Sequence, residues 1–263
     1  MVDTRTLLTV ADDIVRQASE MFVDGVGAAP SLYKKDGDFA TEMDISIEKF
    51  IRDELAKESA IPVYGEEQGG RFDPEACWII DPIDGTTNYA SGNPNCSILV
   101  SLVIQNEPRI AVTAMPLFSN HLSTRDNEPV YLNGEQLPEL DDKNGRGGLI
   151  GLGSVGSPDS AKFPIEFRLK LMGWLTATNL RPRITGSVGV DLALVASGAF
   201  QAAMSFSPNM WDNTAGVLLA RNAGAVVTDG VGRPWTPTSP GAIVGTRAAH
   251  ATVMSTIDTI LKL

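Results

Sequence analysis

The central stretch of this chain of 263 residues reads Trp78-Ile79-Ile80-Asp81-Pro82-Ile83-Asp84-Gly85-Thr86-Thr87-Asn88. Its leading apolar residues predict a buried strand that ends at Asp81, because Pro82 has no N–H to donate to a sheet. Asp84 follows closely, so a single turn can aim both carboxylates into one small volume. Two such charges repel each other unless a cation joins them, which favours a site for a hard divalent metal.

The residues after Asp84 are typical of a phosphate site. Gly85 lets the backbone approach a ligand closely, and Thr86-Thr87-Asn88 can begin a helix whose free N–H groups face an anion. The sequence therefore places a metal site and a phosphate site side by side. A strand followed by an ordinary capped turn uses the same residue types, and this stretch alone does not separate the two interpretations.

Composition limits the partners and the compartment. The net charge of -11 and the lack of any basic run argue against a nucleic-acid partner. The two cysteines, Cys77 and Cys96, lie in or beside apolar runs, which predicts buried free thiols suited to a reducing compartment. No run approaches the roughly 20 apolar residues of a membrane span, and the amino terminus opens no signal region. We therefore expect a cytoplasmic protein with no membrane partner.

The order of the elements predicts a layered α/β protein of the α+β kind. Amphipathic helices are predicted from Leu7 and from near Thr41, and then a run of β-rich segments predicts a mostly antiparallel sheet. The second half alternates helices and strands, which predicts a second sheet covered by helices. We place the boundary at a polar stretch, with an N-terminal metal-binding subdomain at 1–140 and a C-terminal α/β subdomain at 141–263. Together they are expected to form one catalytic unit.

One glycine motif has a different known use. Gly151-Leu-Gly153-Ser-Val-Gly156 matches the dinucleotide fingerprint G-x-G-x-x-G. Its context is poor, because the preceding apolar run is only Leu149-Ile150 and Pro158 interrupts the helix that should follow. We favour a crossing between subdomains over a nicotinamide site, which quenching of cofactor fluorescence would reveal.

Five acids lie at junctions between predicted elements: Asp44, Glu66, Asp81, Asp84 and Asp212. Some have an ordinary structural interpretation, since Asp44 completes a capping box with Thr41 and Asp212 can cap a helix. Glu66 can equally lie in a solvated loop. If all five converge, their mutual repulsion requires bound cations.

Four motifs occur together in this chain. They are Gly65-Glu66-Glu67, the stretch from Trp78 to Asn88, Gly186-Ser187-Val188-Gly189 and Trp211-Asp212-x-x-Ala215-Gly216. With these motifs the chain resembles the inositol monophosphatase family, one of the magnesium-dependent, lithium-sensitive phosphatases. The resemblance covers nearly the whole chain, and its central motif is close to diagnostic. It implies an αβαβα sandwich and a phosphomonoesterase.

The resemblance implies a set of metal ligands. Glu66, Asp81 and the carbonyl of Ile83 would hold one Mg²⁺, and Asp81, Asp84 and Asp212 would hold a second. Glu66 would also contact a third, weaker ion, so two or three ions are expected, with inhibition by Li⁺.

The resemblance also implies roles in catalysis and substrate binding. Asp44 and the hydroxyl of Thr86 would orient and deprotonate the attacking water, with Glu66 also counted as catalytic. The N–H groups of Gly85 and Thr86 would bind the phosphate. Lys34 or Lys35 occupies the place of a family lysine, although a solvated loop cation is an equal alternative. Relatives commonly form homodimers. The implied substrate-binding set is Asp84, Gly85, Thr86, Gly189, Ser205 and Asp212.

The pocket for the alcohol departs from the family pattern. Ser205 stands where many relatives carry an acid that contacts the hydroxyls of the substrate. Inositol monophosphate is the default substrate, with histidinol phosphate, sugar phosphates and nucleotide phosphates as alternatives. A phosphate-ligand sensor that keeps the cation site without catalysis is a further hypothesis.

Overall fold

The computed structural model describes residues 3–33, 39–142, 148–156 and 161–262, so that Lys34 and Lys35 lie outside the described residues. Its helices are α1 Thr4–Asp24, α2 Glu42–Glu58, α3 Thr86–Ala90, α4 Ile165–Thr176, α5 Val188–Ala196, α6 Met210–Asn222 and α7 Arg247–Leu261. Its strands are β1 Pro30–Tyr33, β2 Phe39–Thr41, β3 Val63–Gly65, β4 Ala76–Asp84, β5 Ser97–Ile104, β6 Glu107–Met115, β7 Asn120–Arg125, β8 Tyr131–Leu132, β9 Glu135–Gln136, β10 Leu149–Leu152, β11 Arg181–Arg183, β12 Ala202–Ser205, β13 Val226–Thr228 and β14 Ala242–Gly245.

The first half of the chain forms a seven-stranded sheet in the order β3-β4-β5-β6-β7-β8-β9. Its neighbours are antiparallel except for β3 and β4, which run parallel. The inner strand β5 is almost entirely buried, because helices cover both faces of the sheet. This sheet confirms the prediction of a mostly antiparallel first half.

The second half forms a five-stranded sheet in the order β11-β10-β12-β14-β13. Here β10 is parallel to both of its neighbours, and β14 is antiparallel to β12 and β13. The parallel pairs follow from the helices that connect these strands, as the alternation in sequence predicts.

Helices and sheets alternate in five layers, which confirms the predicted αβαβα sandwich. α1 and α2 pack on the outer face of the seven-stranded sheet, and α5 and α6 lie between the two sheets. α4 and α7 cover the far face of the five-stranded sheet. The layers bury apolar faces such as Leu7, Ala11 and Ile14 of α1 against Val100 and Val112 of the sheet. The middle helices therefore bring residues of both halves into one interior.

Two local predictions were wrong. β4 does not end at Asp81 but continues to Asp84, and its register against β5 shifts between those two residues. The shift explains how a buried strand contains Pro82, since an irregularity tolerates the missing donor. The second difference is a small antiparallel sheet of β1 and β2, where no strand was expected.

The cysteines agree with their prediction, because Cys77 and Cys96 are free and buried. None of the described helices combines the length and apolarity needed to cross a bilayer. The dinucleotide fingerprint lacks its structural context in the described residues, because β10 ends at Leu152 and the next described helix begins only at Ile165.

Candidate active site

Three carboxylates meet at the interface between the two sheets. Asp81, Asp84 and Asp212 each offer an oxygen atom, and these atoms lie within 4.8 Å of one another. Asp81 and Asp84 come from the irregular end of β4, and Asp212 comes from the first turn of α6. Asp81 and Asp84 are buried and Asp212 is half-buried, and acids at this spacing could hold a cation.

An irregularity in β4 sets the positions of its two aspartates. The backbone nitrogen of Ile83 donates to Oδ1 of Asp81 at 3.1 Å, which closes a tight local turn within the irregularity. Both carboxylates are buried. The turn predicted between the two acids is therefore present, although it is accommodated within the strand.

Asp84 is held by the beginning of α5. Its carboxylate accepts hydrogen bonds from the hydroxyl of Ser187, the N–H of Val188 at 3.2 Å and the N–H of Gly189 at 2.7 Å. The hydroxyl of Ser97 on β5 also donates to it at 3.2 Å. These donors fix the orientation of the side chain before any ligand binds.

Asp212 is not a helix cap, so that interpretation was wrong. The N-cap position of α6 is Asn209, and Asp212 lies within the first turn. Its carboxylate has side-chain hydrogen bonds with Ser207 and Asp81. The helix thus places Asp212 over the other acids rather than over its own N–H groups.

The acids perturb one another strongly. Burial, and then the charges of Glu66, Asp84 and Asp212, hold the pKa of Asp81 well above its usual range. Burial, followed by the charges of Asp84 and Glu66, raises the pKa of Asp212 in the same way. Burial also raises the pKa of Asp84, although its donors from Ser187, Gly189 and Ser97 oppose that rise. A cation at this point would remove the repulsion, and its ligands would all be oxygen atoms.

Glu66 approaches this cluster from the loop after β3. Its backbone nitrogen donates to the carbonyl of Ile80 at 3.2 Å, which ties the loop to β4. Its side chain is hydrogen-bonded to Asp81 and lines the same cavity. The structure therefore brings Glu66 to the acids, in contrast to the solvated-loop interpretation.

Asp44 has two roles in the structure. Its Oδ2 atom accepts the N–H of Thr41 at 2.8 Å and the hydroxyl of Thr41 at 2.6 Å, so the predicted capping box is confirmed. Its Oδ1 atom lies 3.2 Å from the Thr86 hydroxyl, which also lies 3.1 Å from the carbonyl of Ile83. Burial raises the pKa of Asp44, and the hydrogen bonds from Thr41 and Thr86 oppose that rise. A buried acid beside a hydroxyl of the cavity wall can accept a proton.

Gly85 provides the turn into α3. Its φ of +88° is the left-handed conformation that glycine adopts freely, and an added Cβ would lie 3.0 Å from the carbonyl of Asn95. Asn88 on α3 donates to that carbonyl at 2.7 Å and to the carbonyl of Thr185 at 2.8 Å. The predicted phosphate segment is therefore anchored to two loops.

The acids open into a cavity of about 740 Å³ between the two halves of the chain. Its walls include residues that the sequence reasoning missed, and the five polar ones are Ser154, Arg168, Asp191, Ser207 and Asn209. Ser154 lies within the glycine motif that we interpreted as a crossing. Arg168 and Asp191 lie in helices, where their spacing gave no functional signal. The predicted residues that line the cavity are Glu66, Asp81, Ile83, Asp84, Gly85, Thr86 and Asp212.

Arg168 is part of the cavity wall and holds two other wall residues. One of its terminal nitrogens donates to the carbonyls of Ser154 at 2.6 Å and Gly156 at 2.9 Å. Its guanidinium lies 4.6 Å from the ring centre of Phe206, and burial lowers its pKa. The side chain therefore links the glycine motif to the segment after β12.

Ser205 and Gly189 are not among the described residues that line the cavity. The hydroxyl of Ser205 accepts the N–H of Ser207 at 3.3 Å, while Phe206 and Ser207 form the wall itself. Gly189 contacts the site through its N–H, which donates to Asp84. A direct contact of either residue with substrate stays a prediction.

Comparisons with known proteins agree with this geometry. The model of the inositol monophosphatase family matches residues 3–262. The protein named "Probable inositol 1-monophosphatase ImpA" of Mycobacterium tuberculosis is 38% identical over 255 residues, which is 97% of this chain and 94% of that protein. Inositol-1-monophosphatase ImpA of Mycolicibacterium smegmatis is 36% identical and covers 97% of this chain and 93% of its own length.

The solved structures give the same result for the fold. The IMPase of Thermotoga maritima superposes with a TM-score of 0.87 at 25% identity, over 98% of each chain. A family match over nearly the whole sequence, together with the acid cluster, identifies the class of protein. The chain belongs to the inositol monophosphatase family and is an enzyme of the phosphomonoesterase class.

Proposed function

We propose that this phosphatase is Mg²⁺-dependent and hydrolyses a small phosphorylated alcohol, with inositol monophosphate as the default substrate. The observation that carries the proposal is the meeting of Asp81, Asp84 and Asp212 beside the Asp44–Thr86 pair. The first group is suited to cations and the second to proton transfer.

The donor set supports Mg²⁺. Mg²⁺ takes oxygen ligands, and every side chain of the cluster is a carboxylate. In this proposal Glu66, Asp81 and the carbonyl of Ile83 hold one ion, and Asp81, Asp84 and Asp212 hold another. When bound, Mg²⁺ supplies Lewis-acid stabilisation of the phosphoryl oxygens and makes water a better nucleophile.

The residues of the chain itself would position the substrate and move the proton. The N–H groups of Gly85 and Thr86 would hold the phosphate oxygens, because both residues line the cavity at the start of α3. The Thr86 hydroxyl would orient the attacking water, and Oδ1 of Asp44 would receive its proton through that hydroxyl. The P–O bond to the alcohol would break as the water oxygen bonds to phosphorus, and the departing oxygen would take a proton from solvent. Asp44 would later return its own proton to solvent, so that the alcohol and inorganic phosphate are the products.

The choice of substrate is supported by the relatives and by the size of the cavity. Relatives are named inositol-1-monophosphatase, and one from Thermotoga maritima is named fructose-1,6-bisphosphatase/inositol-1-monophosphatase, at 27% identity. A cavity of about 740 Å³ has room for a phosphorylated ring. Polar groups of Ser154, Asp191 and Asn209 line it, so a polyol suits it better than an apolar alcohol. Histidinol phosphate, other sugar phosphates and nucleotide phosphates remain alternatives.

The test is release of inorganic phosphate from a panel of esters. Inositol 1-phosphate, fructose 1,6-bisphosphate, histidinol phosphate and a nucleoside 3′-phosphate are compared after chelation, with and without added Mg²⁺. We expect Mg²⁺-dependent release that is fastest with inositol 1-phosphate, and inhibition by Li⁺. Full activity in excess chelator would contradict the metal assignment, and preference for another ester would replace the substrate.

We also propose a homodimer. β11 is an edge strand of the five-stranded sheet, and α4 beside it exposes the large apolar side chains of Ile165, Leu169 and Trp174. Such groups favour association with a second copy. Light scattering coupled to size exclusion should give twice the chain mass, and a mass of one chain would contradict the proposal.

The remaining proposals concern organisation and location. We propose that 1–140 and 141–263 are subdomains of one catalytic unit, which is supported by the contribution of Asp212 to the acids of β4. The buried free thiols of Cys77 and Cys96 support a reducing cytoplasm. Fractionation of cells with an antibody against the chain tests the location.

A further inference from the structure

A second carboxylate of α2 lies close to the site and has no part in the mechanism above. Glu48 follows Asp44 by one helical turn and is completely buried, with 0% of its surface exposed. Its Oε1 atom accepts the Nε–H of Arg52 at 2.7 Å and the N–H of Gln68 at 3.0 Å. Its Oε2 atom accepts the N–H of Glu67 at 2.7 Å. A buried carboxylate with three donors is fully engaged, and two of these donors belong to the loop after β3.

Arg52 holds the same loop at both ends. Its Nη1 atom donates to the carbonyl of Val63 at 3.2 Å, and its Nη2 atom donates to the carbonyl of Gly69. The loop is closed on itself by the N–H of Gly65, which donates to Gly69 at 3.0 Å. The Glu48–Arg52 pair therefore spans the segment 63–69, and Glu66 lies in the middle of that segment.

The packing leaves the loop no space to move towards α2. A Cβ atom on Gly65 would lie 2.5 Å from Oε1 of Glu48 and 2.8 Å from Nη2 of Arg52. Glycine at this position allows the backbone to lie directly against the ion pair. Because α2 also carries Asp44, one helix fixes both the proposed base and the loop of Glu66.

We propose that Glu48 and Arg52 are positioning residues that hold Glu66 at the acid cluster and so set the Mg²⁺ affinity of the site that Glu66 completes. This inference rests on the proposed function, because it takes Glu66 as a metal ligand. Neither side chain is among the described residues that line the cavity. Their effect passes through the backbone of residues 63–69.

The test measures Mg²⁺ binding to the metal-free full chain by calorimetry, without substrate, and then the Mg²⁺ dependence of phosphate release. The variants are Glu48→Gln and Arg52→Lys. Each keeps a side chain of similar size but cannot make all the hydrogen bonds that join Glu48 and Arg52 to each other and to the loop. We expect Mg²⁺ affinity to fall at least about 10-fold, as is common when groups behind a metal ligand are changed. At saturating Mg²⁺, kcat should return to within about 3-fold of wild type, since the ligand itself is intact.

Two further variants sharpen the test. Gly65→Ala presses on the pair from the loop side and should weaken Mg²⁺ binding similarly, so it decides the question if Glu48→Gln does not fold. The matched control is Asp53→Asn, which removes an exposed ion pair with Lys49 on the same helix. We expect Mg²⁺ binding by this control to be unchanged.

The outcomes separate the two proposals. If folded variants melt earlier but bind Mg²⁺ as tightly as wild type, the pair only stabilises the fold and the positioning role is overturned, while the proposed function stands. If wild type itself neither binds Mg²⁺ nor responds to it, both proposals fail. Weaker Mg²⁺ binding with recovery of kcat, in at least two of the three site variants, supports the positioning role.

Discussion

The Oδ2 atom of Asp84 lies 2.7 Å from the backbone nitrogen of Gly189, although 105 positions separate the two residues in sequence. The bond joins the end of β4 in the first sheet to the first turn of α5 between the sheets. The same oxygen also accepts the hydroxyls of Ser187 and Ser97. One carboxylate of the proposed metal site is therefore also a link between the two halves of the molecule.

Replacing Asp84 with Asn should abolish useful turnover while the fold persists. The variant loses a negative charge that would hold Mg²⁺ in the proposed site, and several kcal/mol of charge stabilisation corresponds to a loss of at least about 100-fold in kcat. The Mg²⁺-free variant should stay folded, because relief of the repulsion with Asp81 and Asp212 opposes the loss of one acceptor for the N–H groups of Val188 and Gly189. Phosphate release and thermal melting measure the two effects, with Asp53→Asn as the control. Wild-type turnover in Asp84→Asn would contradict the metal role.

The hydroxyl of Thr86 should matter for the rate rather than for the fold. Thr86→Val keeps the shape but removes the group that contacts Oδ1 of Asp44. We expect kcat to fall about 100-fold, the usual scale for proton transfer by a positioned group. Thr86→Ser retains the hydroxyl and should keep most of the activity. Equal kcat values for the Val and Ser variants would remove Thr86 from the mechanism.

Gly85→Ala should damage the phosphate segment. Gly85 has a φ of +88° and the carbonyl of Asn95 would lie 3.0 Å from the new Cβ, so strain and crowding act together. We expect a loss of about 2 kcal/mol in the free energy of unfolding and a lower kcat/KM. Gly92→Ala is the matched control, because its φ is +70° but no atom lies within 4 Å of the Cβ. That control should lose about 1 kcal/mol with unchanged kcat/KM.

The stability of the Mg²⁺-free enzyme should depend on the pH through Asp191. Burial, opposed by a hydrogen bond from Thr185, raises the pKa of Asp191 from 3.8 to about 7. Between these values the folded state keeps a proton that the unfolded state has lost, so the free energy of unfolding falls as the pH rises through this window. The loss can reach about 4 kcal/mol and is complete above pH ~7.

Asp191→Asn provides the corresponding measurement. The amide oxygen can still accept a hydrogen bond from the hydroxyl of Thr185, which lies 2.8 Å from Oδ1 of Asp191 in the wild-type chain. The amide carries no charge, so its burial brings no charge-desolvation cost. Urea unfolding of both proteins at pH 4.5, 6 and 8 in the presence of chelator should show the variant becoming relatively more stable as the pH rises. Parallel curves for the two proteins would show that Asp191 is not perturbed.

Much of the fold follows from short-range patterns. Helical spacing from Leu7 predicts α1, and Thr41 with Asp44 predicts the start of α2, because each signal lies within a few residues. Pro82 misled the prediction of where β4 ends. A single sequence does not show that the sheet can shift its register there.

The residues of the site likewise include some that short-range patterns predict and some that they do not. Asp81 and Asp84 could be predicted from their position after an apolar run. Asp212 alone had the interpretation of a helix cap, and only the other acids and the resemblance favoured a metal role for it. Glu48 and Arg52 were missed, because a Glu and an Arg one turn apart look like any ion pair on a helix surface. Their burial depends on a loop that only the tertiary fold brings against them.

Asp44 closes the N-terminus of α2 with one oxygen and contacts the cavity wall with the other. An inactive Asp44→Ala enzyme would therefore be ambiguous evidence, since a frayed helix and a missing base give the same assay reading. Thr41→Ala separates them, because it removes the hydroxyl partner of the cap and leaves the carboxylate in place. Comparing the activities of those two variants would show whether the loss of activity comes from the frayed helix or from the missing base.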